Sequence, residues 1–423
     1  MSNRFKLKSE FLKNSFTLII GTGLSQTIPV LLQFPLRRMF SPSEFGVYAI
    51  YSSIVSVLAI LANFRYANTV LIPKKEEDGA NLMFGSLLIS FIFSLLVLLV
   101  FTFFGTSIID YFNFPEELEK WGFLIPLSVF LVSSHLTFGF WLSRKKEFKK
   151  FAINKVSRRT AEGLFQITLG SKAVKGGLII GTIIGDIINF LTYVFQIRKS
   201  VIPLLSKISF ANIKIQIVRY VKFPKYSLLP SFLDNFSLML PVFIITDFYS
   251  ESITGQYDLT AKILSVPLAL ISIALSQVLV QKIVEQRNNS KPIVSILKPV
   301  FLTLLSLSAL GVLVVHFFGE SIFVFAFGEQ WKLAGELSTY LIFIYGIRFI
   351  VSPMTSVFIA LEEIKISSIW QVCYFGAILS LYLLKGCDLI TFISYFILID
   401  VIAYSVYGIL IIMISKKHDG SLS

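Results

Sequence analysis

The chain has 423 residues, of which 55% are hydrophobic, 15% aromatic and only 15% charged. An average soluble domain has roughly 25% charged residues, so this composition argues against soluble enzymes and nucleic-acid-binding proteins. The net charge of +13 instead suits basic cytoplasmic loops beside anionic lipid headgroups. Two cysteines and three widely spaced histidines form no metal-ligand pattern, and no P-loop or other catalytic motif occurs. We therefore expect neither a metal nor another cofactor.

Twelve apolar stretches are long enough to cross a bilayer, which takes about 20 residues each. The first six are predicted over residues 15–36, 46–72, 81–104, 122–142, 156–171 and 177–197. The other six are predicted over residues 223–246, 254–282, 299–318, 337–361, 366–384 and 389–414. The fifth stretch is short and contains Arg158, Arg159 and Glu162. The sequence thus predicts an all-α integral membrane protein with about twelve transmembrane helices.

A polar connector separates these stretches into two sets of six. It mixes apolar residues with lysine and arginine, as does a helix that lies on a membrane surface. We therefore predict an N-terminal six-helix lobe at 1–197, a cytoplasmic connector helix at 198–222 and a C-terminal six-helix lobe at 223–423. With both termini in the cytoplasm, cytoplasmic segments hold 27 of the 38 lysine and arginine residues and external loops hold 7. This asymmetry predicts cytoplasmic termini.

Each half begins with a span that is interrupted by proline and followed by a Gly-x-Tyr triplet. Pro29 and Pro35 precede the first triplet, and Pro230 and Pro241 lie in the corresponding span of the second half. Pliable helices at matching places in two repeats are typical of the moving parts of transporters. We interpret these four prolines as candidate hinges. The alternative is that proline is simply common in membrane helices.

Four basic residues lie within the predicted spans. A lysine or arginine at the centre of a span costs about 2.5–3.5 kcal/mol, so it should face a partner or a wet cavity. Arg348 lies near mid-span without an acidic residue within one helical turn, whereas Arg65 and Lys262 lie nearer the ends. Lys225 lies near the boundary, where it can snorkel. We expect all four to bind an anionic headgroup such as a pyrophosphate or an acidic sugar.

Four aspartates also lie within the spans. Asp258 is four residues before Lys262, so the two either form a local ion pair or belong to a site. Asp186, Asp234 and Asp400 have no basic residue nearby on the same helix. Each either pairs with a cation on a neighbouring helix or takes part in ion coupling. The four aspartates are therefore the candidates for coupling transport to H⁺ or Na⁺.

Several segments are shared with a known family. Residues 35–49, PLRRMFSPSEFGVYA, and residues 64–75, FRYANTVLIPKK, correspond to its first external loop and the end of its second span. Residues 223–230, FPKYSLLP, and residues 255–262, GQYDLTAK, correspond to the starts of its seventh and eighth spans. In these segments the chain resembles the bacterial polysaccharide-unit (O-antigen and capsule) flippases. They form the polysaccharide transporter branch of the multidrug/oligosaccharidyl-lipid/polysaccharide exporter superfamily.

The resemblance implies two six-helix lobes around a central cavity. It implies that alternating access moves undecaprenyl-diphosphate-linked oligosaccharide from the cytoplasmic to the external leaflet of the bacterial inner (plasma) membrane. It also implies a cation-lined cavity and an ion gradient, and Arg65 and Lys262 lie in the matching segments. Many relatives have an acidic residue after the Arg-Tyr of the second span, whereas this chain has Ala67-Asn68. The resemblance therefore does not imply a coupling role for residues 67 and 68 of this chain.

These observations favour a non-enzymatic flippase for O-antigen or capsular polysaccharide units. Its expected partners are the lipid-linked oligosaccharide, membrane lipids, a polysaccharide polymerase and chain-length proteins, with no nucleic acid. One alternative is a multidrug and toxin extrusion transporter, although such pumps favour cationic drugs and acidic cavities. The other is an integral-membrane polysaccharide polymerase or ligase, which would need a larger external loop than the short ones present here.

Overall fold

A computed structural model of the chain describes residues 27–420, except for the side chains of residues 273 and 274. The described residues form helices joined by short loops, with no β-strand among them. The chain divides into two compact units, Met1–Met239 and Leu240–Ser423. The boundary falls within a helix, and the predicted division into 1–197, 198–222 and 223–423 stays a prediction.

The first unit contains seven complete α-helices, the described part of one before them and the first part of one after them. Residues 27–39 form α1 as far as the structure describes it. The following helices are α2 Pro42–Ala62, α3 Glu76–Tyr111, α4 Glu117–Gly122, α5 Ile125–Arg144, α6 Phe148–Ser171, α7 Gly177–Val201, α8 Phe210–Arg219 and α9 Lys222–Phe248, which continues into the second unit. The start of the first predicted span, 15–36, lies outside the described residues.

The second unit contains the remaining helices, and three of them have more than 30 residues each. They are α10 Glu251–Asn288, α11 Val294–Phe327, α12 Lys332–Val351, α13 Ser356–Ala360, α14 Ile364–Leu379 and α15 Leu389–Gly420. Two hydrogen bonds fix α10 against the start of α12: Thr260 donates to the Ala334 carbonyl at 2.7 Å, and Gln256 accepts from the Ala334 amide at 3.0 Å. This contact positions the segment of α10 that contains Asp258 and Lys262.

Ten helical segments among residues 27–420 are long and apolar enough to cross a membrane. In α11, only 6% of the most apolar window is buried within the protein, although its mean hydropathy is 2.3. Such an exposed apolar surface suits contact with lipid and not with water. The chain is therefore an all-α, multi-pass membrane protein. Helix α6 is not among these segments, because it contains too many charged residues. Two of them, Arg158 and Arg159, form ion pairs inside the first unit.

Close approach of α6 and α7 is made possible by two glycines. A Cβ at Gly181 would lie 2.8 Å from the backbone nitrogen of Gln166, and one at Gly185 would lie 2.9 Å from the Cα of Glu162. Small residues four positions apart let membrane helices pack backbone to backbone. This packing brings the charged face of α6 against α7.

The four candidate hinge prolines lie in helices. Pro29 is in the first described turn of α1 and Pro35 lies further along it, and Pro230 and Pro241 are within α9. A proline inside a helix removes one backbone hydrogen bond and crowds the preceding turn. The helices are thus weakened at Pro35, Pro230 and Pro241 without being interrupted, and a hinge role for any of the four prolines stays a prediction.

Candidate functional site

A cavity of about 360 Å³ lies in the first unit between α5, α6 and α7. Its apolar wall includes Leu136, Phe140 and Phe151. Its polar lining consists of His135, Ser143, Lys155, Arg158, Arg159, Asn189 and Tyr193. Three cations from one helix therefore share a cavity with a buried histidine and a buried asparagine.

Two ion pairs hold the cationic wall in place. The Arg158 guanidinium donates from Nε to Oδ1 of Asp186, whose side chain is 2% exposed. Arg159 donates to Oε2 of Glu162 at 2.8 Å. A buried charge is tolerated when it is paired and hydrogen-bonded. Asp186 is therefore paired with a cation on a neighbouring helix, which is one of the two alternatives that the sequence left open.

Glu162 also connects α6 to α2 and α7. The Tyr48 hydroxyl donates to Oε1 of Glu162 at 3.3 Å, and the Thr182 hydroxyl lies 3.3 Å from the same oxygen. Gln166 donates to the Thr182 hydroxyl at 3.0 Å and to the Leu178 carbonyl at 3.0 Å. Tyr48, the tyrosine of the first Gly-x-Tyr triplet, thus supports the carboxylate that orients Arg159.

A second buried network lies in the second unit, around Arg348 on α12. Arg348 donates from Nε to Oδ1 of Asp400 at 3.0 Å and from a terminal nitrogen to Oδ2. Tyr374 on α14 donates to Oδ2 of Asp400 at 2.9 Å and accepts from Arg348 at 2.6 Å. The rings of Trp370, Tyr374 and Tyr407 stack beside this group.

Arg348 faces a partner, which is one of the two alternatives that the sequence left open for a cation at mid-span. Asp400 is 0% exposed and Arg348 is 8% exposed, and α15 brings the carboxylate to the arginine from a distant part of the chain. Of the two alternatives given for Asp400 in the sequence, the structure shows pairing with a cation on a neighbouring helix. A bidentate arginine–carboxylate pair satisfies both charges at once. Whether Arg348 also contacts substrate stays a prediction.

Lys262 and Asp258 form the local pair that their spacing suggests. Lys262 Nζ lies 2.9 Å from Oδ2 of Asp258. The Lys262 side chain is 40% exposed and the Asp258 side chain 10%, so the lysine keeps a surface that a ligand can reach. Lys225 is exposed near the start of α9, where its ammonium lies 5.6 Å from the centre of the Tyr226 ring. Asp234 is exposed on the same helix.

Arg65 lies in a left-handed turn and not within a helix. The prediction of one continuous helix over 46–72 is wrong, because α2 ends at Ala62 and Phe64 and Arg65 have φ angles of 47° and 66°. The Asn63 side chain accepts from the Arg65 backbone amide at 2.9 Å and stabilises this turn. Among residues 27–420 the Arg65 side chain forms no ion pair, and its Nε has no hydrogen-bond partner.

The four basic residues predicted to bind substrate therefore differ in their pairing and exposure. Arg348 and Lys262 are paired, Arg65 is unpaired among the described residues, and Lys225 is exposed. The cavity between α5 and α7 uses other residues, which sequence reasoning missed. Its cations had a detectable signal, since positions 155, 158, 159 and 162 follow the spacing of one helix face. Within the described part of the chain, no group of three potential metal ligands comes together.

Comparisons with known proteins agree on the fold. The model of a family described as "Polysaccharide biosynthesis protein" matches residues 36–335. None of the curated proteins matches the chain in sequence. An inward-facing multidrug resistance MATE family transporter of the MOP superfamily is 15% identical, with 94% of this chain and 95% of that one covered and a TM-score of 0.72.

Two further solved structures are similar. The lipid II flippase MurJ, in an inward closed conformation, is 16% identical, with 94% of this chain and 86% of that one covered and a TM-score of 0.72. A MOP superfamily transporter from Pyrococcus furiosus is 13% identical, with 96% of each chain covered and a TM-score of 0.63. The chain thus has the fold of these MATE and MurJ transporters.

Proposed function

Since the chain belongs to the polysaccharide biosynthesis protein family, we propose that it is a flippase for lipid-linked oligosaccharides. It moves undecaprenyl-diphosphate-linked repeat units from the cytoplasmic to the external leaflet by alternating access, for O-antigen or capsular polysaccharide assembly. It works in a bacterial inner membrane with both termini in the cytoplasm. A polysaccharide polymerase and chain-length proteins receive the product, and an H⁺ or Na⁺ gradient drives the cycle.

The observation that carries this proposal is the combination of a polysaccharide biosynthesis family with a transporter fold. Polysaccharide precursors are assembled on lipids and have to cross a bilayer that excludes their polar headgroups. A structural neighbour, MurJ, is a flippase of lipid II, which makes a lipid-linked substrate chemically reasonable for this fold. The ten apolar helical segments provide the membrane-spanning frame that such a passage needs.

The charges of the first unit favour an anionic substrate. Lys155, Arg158 and Arg159 all line the cavity, and arginine and lysine bind phosphate oxygens through charge-assisted hydrogen bonds. A multidrug transporter is the competing proposal, supported by the likeness to the MATE structure. A cationic drug would be repelled by this wall, so the cavity favours the flippase.

The direct test uses the purified protein in vesicles with a fluorescent undecaprenyl-diphosphate oligosaccharide. Dithionite added outside quenches only outer-leaflet probe, so protein-dependent translocation increases the fraction that is quenched. We expect translocation with the lipid-linked sugar and none in protein-free vesicles. Uptake of ethidium in place of lipid movement would support the multidrug alternative and contradict the proposal. Transport measured with and without a pH or Na⁺ gradient identifies the coupling ion.

A further inference from the structure

The segment that joins α7 to α9 is basic and contains no acidic residue. Residues 187–233 include seven lysine and arginine residues and no aspartate or glutamate. One of these cations, Lys207, pairs with Glu77 of α3 at 2.8 Å. Three others are exposed and form no ion pair with any residue between 27 and 420, namely Lys214, Arg219 and Lys222. A run of like charges of this length attracts an anionic partner.

One face of α8 is fixed against the start of α3 by polar contacts. Gln216 on α8 donates to Oδ1 of Asp78 at 2.9 Å. The Asn81 side chain donates to the Lys207 carbonyl at 3.2 Å and accepts from the Ser209 backbone amide at 3.3 Å. The position of α8 beside α3 is therefore set by its buried face, and its opposite face points away from α3.

The contact with α3 also sets the depth of α8 in the membrane. A Cβ on Gly85 of α3 would lie 3.0 Å from Cγ2 of Ile213 and 3.2 Å from Cδ1 of Ile217. Gly85 is four positions after the start of the predicted span 81–104, which is about 6 Å along a helix. Helix α8 therefore lies where headgroups meet acyl chains, at the depth of interfacial helices.

The opposite face of α8 combines exposed apolar and basic side chains. Phe210, Ile215 and Val218 are 75%, 60% and 62% exposed. Lys214 is one helical turn before Val218, and Arg219 is one turn after Ile215, so these residues share a face. Apolar side chains suit acyl chains, and the cations beside them suit phosphates. No residue of α8 lines the α5–α7 cavity.

We propose that this outer face of α8 binds an anionic phospholipid of the adjacent leaflet. The lipid phosphate contacts Lys214 and Arg219, and an acyl chain lies along Ile215 and Val218. This lipid is a constituent of the membrane and not the transported substrate. A zwitterionic lipid would cover the apolar side chains and leave the positive charges unmatched. A second copy of the chain fits less well, because its own α8 face has the same positive charge.

Helix α8 also contacts the turn that contains Arg65. The Tyr66 hydroxyl donates to the Ile217 carbonyl of α8 at 3.1 Å. From α5, Arg144 donates to the Val70 carbonyl at 3.0 Å. A lipid that holds α8 in place therefore steadies the turn, and through the substrate role of Arg65 it should speed translocation. This second step rests on the proposed function, whereas lipid binding at α8 does not.

Native mass spectrometry of the full chain in detergent tests the lipid site. Phosphatidylglycerol and phosphatidylcholine with the same acyl chains are titrated separately, and we expect phosphatidylglycerol to bind more tightly. The double variant Lys214→Gln with Arg219→Gln should weaken phosphatidylglycerol binding about 25-fold, or about fivefold for each charge removed beside the headgroups. Both side chains are exposed and unpaired among the described residues, so this variant should unfold at the temperature of the natural protein.

The double variant Lys172→Gln with Lys175→Gln is the matched control. It also removes two exposed cations, from the loop between α6 and α7, and should bind phosphatidylglycerol as tightly as the natural protein. Equal affinities in the two double variants would overturn the lipid site. A dimer that only the Lys214 and Arg219 substitutions abolish would overturn it too, since the face would then bind a second copy.

Translocation of the fluorescent lipid-linked sugar tests the link between α8 and the turn. The rate in phosphatidylcholine vesicles should rise when phosphatidylglycerol replaces part of the lipid. Tyr66→Phe keeps the ring and removes the donor, so it should bind phosphatidylglycerol with unchanged affinity and lose this rise. A rise that persists in Tyr66→Phe would overturn the link. Phosphatidylglycerol binding that depends on Lys214 and Arg219, in a protein that translocates no lipid-linked sugar, would support the site and remove the proposed function.

Discussion

Arg348 on α12 donates hydrogen bonds to both carboxylate oxygens of Asp400 on α15, a residue 52 positions further along the chain. The Tyr374 hydroxyl closes the group by donating to the same carboxylate. Helices α12, α14 and α15 are therefore joined by one buried ionic network. Its first consequence concerns stability, since each charge depends on the other for solvation.

We expect Arg348→Ala to destabilise the protein by about 3 kcal/mol or more, because it leaves the Asp400 charge buried and unpaired. The double variant Arg348→Met with Asp400→Leu should recover much of the loss, since both charges are then gone. Thermal unfolding in detergent measures the three proteins together. A single variant as stable as the natural protein would show that the pair contributes nothing to the fold.

The second prediction concerns Arg65, whose backbone is left-handed and whose side chain has no ion pair among residues 27–420. Glycine adopts this conformation without steric cost, so Arg65→Gly should leave stability equal or slightly higher. If the guanidinium contacts the anionic headgroup, the translocation rate should fall about tenfold or more, as expected for loss of a charge-assisted bond.

Lys146→Gly is the matched control for Arg65→Gly. Lys146 is an exposed cation with a φ of 57°, so its replacement relieves the same backbone conformation and removes one positive charge. Its translocation rate should be unchanged. Equal rates in both variants and in the natural protein would remove Arg65 from the substrate path.

Much of the fold could be predicted from the sequence, because long apolar runs are strong local signals. The partners of buried charges could not be predicted in the same way. Lys262 and Asp258 are four residues apart and their pairing follows from helix geometry alone. Asp400 and Asp186 pair with Arg348 and Arg158 on other helices, and sequence separation does not reveal which helices touch. The break at Arg65 was hidden for another reason, since the flanking residues are apolar enough to continue a span.

The candidate site illustrates the same limit. The charges of α6 look like a weak span in the sequence because hydropathy averages over all faces of a helix. In the structure they lie on one face, where Arg158 pairs across to Asp186 on α7 and Arg159 pairs with Glu162 on α6 itself. Close packing at Gly181 and Gly185 makes that pairing possible. The sequence around these glycines does not indicate which helix they pack against. A spacing test on charged residues would have indicated the face, although not the cavity behind it.

The third prediction tests that packing. Gly185→Ala places a Cβ within 2.9 Å of backbone atoms of Glu162, and backbone cannot turn aside as a side chain can. We expect a loss of about 1–3 kcal/mol in unfolding free energy, measured by thermal unfolding. Gly376→Ala on α14 is the control, since nothing lies within 4 Å of its Cβ. It should be neutral or stabilising by about 0.5–1 kcal/mol. Equal behaviour of the two variants would contradict close α6–α7 packing.

The fourth prediction concerns Pro230, a candidate hinge inside α9. Pro230→Ala returns a backbone amide to the helix interior and removes the ring that crowds the preceding turn. If bending at this position is part of alternating access, the variant should be more stable to heat and slower in translocating the fluorescent lipid-linked sugar. Pro42→Ala is the control, because Pro42 begins α2 in the first turn, where proline costs a helix nothing. A Pro230→Ala protein with the natural rate of translocation would make the proline a tolerated feature of the helix and exclude it as a hinge.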